Sequence, residues 1–285
     1  MPLTEQQSDA IIAAVRRVAA DEILPRFRNL GRNDVDAKST FDDLVTVADT
    51  AAEVALTAEI ERILPGDTVI GEEAVSADRS LLAKVGEGRV TIIDPIDGTW
   101  NFAHGVANYG VILAVVEDGK IVWGLLYDPS FDDWVMAAVD QGAWFHRNGT
   151  ARQLRTEQDV QDHGHLRGNV GAYMFPEAER FALSATTGQF RRATSYGASL
   201  HEYRQLVLSA SDFCLNGMLN VWDHAAGVLI LSEAGGHSAL LDGSPYSPMM
   251  TEGRLLNARS EALWHSLADT FNGALRAASG QQGLS

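Results

Sequence analysis

Two aspartates flank a proline in Asp94-Pro95-Ile96-Asp97-Gly98-Thr99, directly after the β-branched run Val90 to Ile93. A strand ending there would carry both carboxylates at its tip, with the proline stiffening the turn. Gly98 lets the backbone approach a ligand closely, and a helix starting at Gly98 or Thr99 would aim free N–H groups at an anion. Carboxylates and an anion repel each other unless cations lie between them, so the segment points to hard divalent ions bridging protein acids and a phosphate. The same segment would also serve as a turn in which Asp94 and Asp97 cap a helix. Further acids stand at similar places. Glu72-Glu73 leaves the short β-type run Thr68 to Ile70, and adjacent like charges are costly without a counter-ion. Asp49 starts a helix after Asp43-Leu44-Val45-Thr46, and Asp223 follows Trp222 ahead of the small apolar stretch Ala225 to Ala234. Any one of these, taken alone, reads as a helix cap.

Other chemistries are excluded by inspection. The sequence holds no G-x-S-x-G elbow, no G-x-x-x-x-G-K-[ST] loop, no G-x-G-x-x-G after a strand and no H-E-x-x-H. His201-Glu202-Tyr203-Arg204-Gln205 fails the last at its second histidine, and His163-Gly164-His165 reads as a solvated loop. The lone cysteine, Cys214, lies between Phe213 and Leu215 and reads as a buried small hydrophobe. Its solitude rules out an internal disulfide and any all-cysteine metal site. The 285 residues carry 22 Lys and Arg against 38 Asp and Glu, a formal charge of −16. That surface disfavours nucleic acid and anionic membranes, since Arg16-Arg17 and Arg191-Arg192 are the densest basic spots. No apolar run approaches the ~20 residues of a membrane helix, and Met1 to Ala10 resembles no signal peptide, so a cytoplasmic protein is expected.

These acids need elements to position them. Ile11, Ile12, Val15, Val18 and Ile23 recur at helical spacing and end near Pro25, and Arg28 to Ser39 reads as loop. A helix after Asp49 is expected to bury Val54, Ala55, Ile60, Ile63 and Leu64 and to stop at Pro65-Gly66. Val111 to Val116 and Ile121 to Leu126 flank Asp118-Gly119, the chemistry of a tight hairpin. Trp134 to Val139 adds a strand, and Pro176 to Thr187 and Ser199 to Ser209 read as helices. The helix over Ala225 to Ala234 stops at Gly235-Gly236, and the tail from Ala277 to Ser285 is expected to fray. The change of pattern places a boundary near 150: residues 1–150 form an α+β part with most of the acids, and 151–285 an α/β part carrying Asp223.

In order, Asp49, Glu72-Glu73, Asp94-Pro95-Ile96-Asp97-Gly98-Thr99, and Trp222-Asp223 followed after eleven residues by Gly235-Gly236 resemble the lithium-sensitive, magnesium-dependent phosphatases, most closely the inositol monophosphatase family. Lys38 with Asp43-Leu44-Val45-Thr46, Asn101-Phe102 and His104-Gly105 extend the likeness, which covers about residues 8 to 270. The resemblance implies a five-layered αβαβα sandwich and a homodimer. It also implies that Glu72, Asp94 and the Ile96 carbonyl hold one Mg²⁺, and that Asp94, Asp97 and Asp223 hold a second of two or three ions. The N–H groups of Gly98 and Thr99 would cradle phosphate. Thr99, hydrogen-bonded to Asp49, would orient the water that the metal activates, with help from Glu72.

On the substrate side, Gly197-Ala198-Ser199 resembles a turn of the family. Asn216 stands where the family has a glutamate that contacts inositol hydroxyls, seven residues before the W-D aspartate. A neutral amide still binds hydroxyls, but it is not an acceptor-only group. Ala107 replaces a common proline. The expected activity is hydrolysis of inositol monophosphate or a similar small polyol or sugar phosphate. Alternatives are histidinol phosphate, fructose 1,6-bisphosphate or 3′-phosphoadenosine 5′-phosphate, the last needing basic residues such as Arg191, Arg192 and Arg204. An alternative of another class is a protein-interaction role in transcription antitermination, which one bacterial member suggests.

Overall fold

The computed structural model describes residues 3–281 except 32, 39, 42, 160 and 161. Helix α1 (Glu5–Val18) starts at a capping box between Thr4 and Gln7, buries Ile11, Ile12, Val15 and Val18, and runs into a π-helical turn over Ala19–Ile23. The expected loop after Arg28 contains a short strand, because β1 (Val35–Ala37) pairs antiparallel with β2 (Leu44–Thr46). Helix α2 (Val47–Ile63) follows, and its N-cap is Thr46, with Asp49 closing the capping box from the first turn. Of the face expected to be buried, Ile60 and Leu64 are fully buried and Ala55 and Ile63 pack partly buried, while Val54 is 67% exposed; Ala48, Asp49, Ala52, Glu53 and Leu56 are buried as well. Alanines let α2 lie close to its neighbours, and the two acids on that face face inward.

Seven strands form the first sheet: β3 (Thr68–Gly71), β4 (Arg89–Asp97), β5 (Gly110–Glu117), β6 (Lys120–Asp128), β7 (Asp133–Ala138), β8 (Ala143–Arg147) and β9 (Thr150–Leu154), neighbours in that order. Strands β3 and β4 are parallel, and the rest form an antiparallel meander. Helices α3 (Glu72–Ala77) and α4 (Thr99–Ala103) leave the ends of β3 and β4. The β5–β6 turn has Asp118 at φ 48° and Gly119 at φ 75°, the positive values a tight hairpin demands.

The second sheet, in order β11-β10-β12-β14-β13, comprises β10 (Arg167–Val170), β11 (Arg192–Thr194), β12 (Phe213–Asn216), β13 (His237–Leu240) and β14 (Leu255–Ala258). Its helices are α5 (Glu177–Thr187), α6 (Ser199–Val207), α7 (Val221–Glu233) and α8 (Glu261–Gln281). Helix α8 reaches beyond Ala277, where fraying was expected; residues 282–285 lie outside the described residues.

Alternation along the strands builds the layers. Val111, Leu113 and Val115 pack with α1 and α2, while Ile112, Ala114 and Val116 pack with α6 and α7. Beyond α6 and α7 lies the second sheet, whose far face places Phe213, Leu215, Leu256 and Ala258 against Leu263, Leu267 and Phe271 of α8. The result is a five-layered αβαβα sandwich with α6 and α7 shared between sheets.

Close contact at that middle layer depends on glycine. A Cβ on Gly124 of β6 would lie 2.8 Å from the Ala226 Cα of α7. We expect Gly124→Ala to lower stability by roughly 1–3 kcal/mol in urea unfolding through overpacking. Gly273→Ala, with nothing within 4 Å of its Cβ position in α8, should be neutral or stabilising by up to about 1 kcal/mol.

Candidate active site

Strand β4 delivers the central turn. Its register against β5 shifts between Asp94 and Asp97, and the chain then bends at Gly98, which has φ 85° and ψ 39° and caps the short α4. A Cβ at Gly98 would sit 2.7 Å from the Asn108 carbonyl oxygen and 3.0 Å from the Ala198 Cβ. Only glycine fits there, so the turn and the Gly197-Ala198 loop touch through bare backbone. Asn101 in α4 pins the same loop, its amide nitrogen 2.8 Å from both the Asn108 and the Tyr196 carbonyl oxygens. The Asp97 carboxylate accepts the N–H groups of Ser199 at 3.0 Å and Leu200 at 2.6 Å, so an acid of the first sheet caps α6.

Carboxylate oxygens of Asp94, Asp97 and Asp223 lie within 4.8 Å of one another. Asp94 and Asp97 are buried, at 1% and 5% exposure. Asp223 arrives from the first turn of α7, where the N-cap residue is Asn220 and not Asp223, and the Asn220 amide donates to it at 3.0 Å. Desolvation, then the neighbouring acids, hold Asp94 and Asp223 well above the carboxylate range. Desolvation lifts Asp97 to about 7 although the two α6 N–H groups pull it down. Such a cluster is costly as bare anions and suited to a hard cation with oxygen ligands.

Glu72 stands beside this trio rather than within it. At the start of α3, Glu72 and Glu73 share the Lys38 ammonium at 2.9 and 2.7 Å. Burial works against the Lys38 charge, but the two glutamates outweigh it and raise its pKa. Glu73 is pushed to about 7 by desolvation and then by Glu72. Glu53, which sequence reasoning missed, accepts the Glu73 and Ala74 N–H groups, both at 2.8 Å, and so fixes the first turn of α3. Its spacing of four from Asp49 on one helix was the available signal. A Cβ on Gly71 would overlap the Glu53 carboxyl, 2.1 Å from its carbon.

The predicted hydroxyl link is present. Thr99 Oγ1 lies 3.1 Å from Asp49 Oδ1 and 3.0 Å from the Ile96 carbonyl oxygen. Asp49 Oδ2 accepts from the Thr46 N–H at 2.9 Å and from its hydroxyl at 2.5 Å. Desolvation still raises Asp49 to about 6.

These groups open on a cavity of about 720 Å³ lined by Lys38, Glu72, Asp97, Thr99, Ser199 and Asp223, with half-exposed Trp100, Tyr173, Met218 and Met249 also on its walls. Gly197 and Ala198 are on its wall, whereas Asn216 is fully buried at the end of β12 and outside the lining. Glu202, from the segment that fails the zinc motif, is on the wall. Arg204 is buried against Asp133, and neither Arg191 nor Arg192 lines the cavity.

Folding raises the pKa of each member of the trio, so neutral acids favour the fold at low pH and ionised ones oppose it as pH climbs. For Asp97 that loss runs from its ordinary 3.8 up to about 7. In metal-free buffer at pH 8, Asp94→Asn should therefore melt a few degrees above the parent, with the gap shrinking towards pH 5, as read by calorimetry.

The sequence model of the inositol monophosphatase family matches residues 4–277. Inositol-1-monophosphatase of Bacillus subtilis is 31% identical over 216 residues, covering 75% of this chain and 78% of that protein. A Thermotoga maritima protein named fructose-1,6-bisphosphatase/inositol-1-monophosphatase is 30% identical over 207 residues, covering 72% and 75%. A solved Thermotoga maritima IMPase shares the fold, with a TM-score of 0.78 at 24% identity over 96% of this chain and 99% of that one. With a match of that extent the chain belongs to the inositol monophosphatase family, phosphatases that hydrolyse phosphomonoesters.

Proposed function

We propose that this protein is a Mg²⁺-dependent phosphomonoesterase acting on inositol monophosphate or a similar small polyol or sugar phosphate through a metal-activated water. The observation that carries the reading is the trio Asp94, Asp97 and Asp223, oxygen ligands from the end of β4 and the first turn of α7, converging beside the Gly98 turn. The donor set fits a hard cation, being all oxygen and largely buried. Asp94, Asp97 and Asp223 would hold one ion, and Glu72, Asp94 and the Ile96 carbonyl another. Bound there, Mg²⁺ supplies charge neutralisation on phosphate oxygens and acidifies water.

The protein's own groups do the rest. The N–H groups of Gly98 and Thr99 bind the phosphate oxygens. Thr99 orients the attacking water through its hydroxyl, which Asp49 holds by the 3.1 Å contact. Glu72 takes the water's proton, and Lys38 keeps Glu72 in place. Gly197, Ala198 and Ser199 border the leaving alcohol; Arg79 and Arg180 also line the cavity, so the adenosine phosphate belongs in the substrate panel below. A homodimer and lithium sensitivity belong to the same reading and rest on the resemblance, and a cytoplasmic location rests on the sequence composition.

Phosphate release from inositol, histidinol, fructose and adenosine phosphates, with and without Mg²⁺ and Li⁺, tests it. Turnover of a polyol phosphate only with Mg²⁺ is expected, and no turnover of any monoester in saturating Mg²⁺ overturns it. Asp94→Asn should lower kcat/KM at least about a hundredfold with the fold intact. Thr99→Ala should lower kcat roughly a hundredfold, while Thr99→Ser keeps most of it.

A further inference from the structure

Among the ionisable side chains on the cavity wall without a task in the chemistry above is a buried acid. Glu202, in α6, is 1% exposed, yet it is on the wall of the same cavity as Asp97, Ala198 and Asp223. Its hydrogen-bond partners are weak: the Cys214 thiol donates to Oε2 at 3.0 Å, and the Tyr196 N–H reaches Oε1 at 3.4 Å. No Lys or Arg among the described residues pairs with it. A buried carboxylate has room for about four hydrogen bonds and is expensive without them, so a purely space-filling role at this position would be met better by an amide or an apolar residue.

Asn216 lies across the same sulfur atom. Its Oδ1 is 3.5 Å from Cys214 Sγ, and its Nδ2 has no partner. Acid and amide thus flank one thiol, and the acid is the one on the cavity wall. Glu202 also acts electrostatically on Asp97, Asp223 and the Tyr173 hydroxyl, which places its charge at the side of the cavity next to the acid trio.

We propose that Glu202 is the specificity-determining residue of this enzyme, its carboxylate accepting a hydrogen bond from a hydroxyl on the alcohol half of the substrate. The inference rests on the phosphatase reading above and deepens it. A substrate whose hydroxyl reaches Glu202 satisfies the acid, whereas an alcohol without a donor leaves it desolvated and unpaired. Asn216 then serves as the neutral member of the pair, buried behind Cys214.

The test compares kcat/KM for inositol 1-phosphate, which carries donors around the ring, with that for p-nitrophenyl phosphate, whose leaving group carries none. Glu202→Gln is close to isosteric and keeps an oxygen for the Cys214 thiol. The ratio of the two kcat/KM values should fall tenfold or more in this variant, mostly through KM for the polyol phosphate. A structural role would lower both substrates together and leave the ratio unchanged, which overturns the proposal. Should Glu202→Gln fail to fold, Glu202→Asp, which withdraws the charge by one methylene, is read in the same way. A parent enzyme inactive on both substrates would instead overturn the phosphatase reading itself.

Discussion

The structure depends on holding like charges together out of water. Asp94 and Asp97 come from the end of one strand and Asp223 from a helix more than a hundred residues later, and their oxygens meet within 4.8 Å. Isolated carboxylates so placed repel one another and lose their hydration, which is why their pKa values rise. The surrounding fold has to supply the energy that keeps them there. Packing on both faces of the first sheet does so, and the acids are left poised for cations.

Precision comes from side chains that hydrogen-bond backbone across the site. Asp97 caps α6 through Ser199 and Leu200, and Asn101 reaches the Tyr196 carbonyl, so the Gly98 turn and the Gly197-Ala198 loop are tied together. Gly98 and Gly124 permit approaches that any side chain would block. On the far side, Glu53 holds the first turn of α3 while Lys38 bridges Glu72 and Glu73. Asp94, Asp97 and Asp223 meet with no lysine or arginine of the described residues between them, where substrate and metal would meet them.

Much of this was legible in the sequence because the deciding signals are local. Asp94 to Thr99 reads as strand, turn and helix start from residue types alone, and the strand, the positive φ at Gly98 and the helix at Thr99 are all present. The hairpin at Asp118-Gly119 is equally local. Ordered motifs then tied Asp49, Glu72 and Asp223 to the turn, as spacing by itself could not. The buried face of α2 includes the expected Ile60 and Leu64 but not Val54, and it also takes in Ala48, Asp49, Ala52 and Glu53, which tertiary packing turns inward and hydrophobicity alone would not choose. Glu53 and Glu202 escaped notice for a related reason. Their roles follow from what lies opposite them in space, a helix start and a cavity wall, and a single sequence does not display either.

The central claim is that the acid trio is built for divalent cations and is protonated in part until they bind. Calorimetric titration of the protein with Mg²⁺ at pH 6, repeated in buffers of different ionisation enthalpy, counts the protons released. With Asp97 raised to about 7 and Asp94 and Asp223 raised with it, binding should expel protons at pH 6, expel fewer at pH 8, and tighten between those values. Absence of Mg²⁺ binding, or binding at pH 6 with no proton release, would contradict the account.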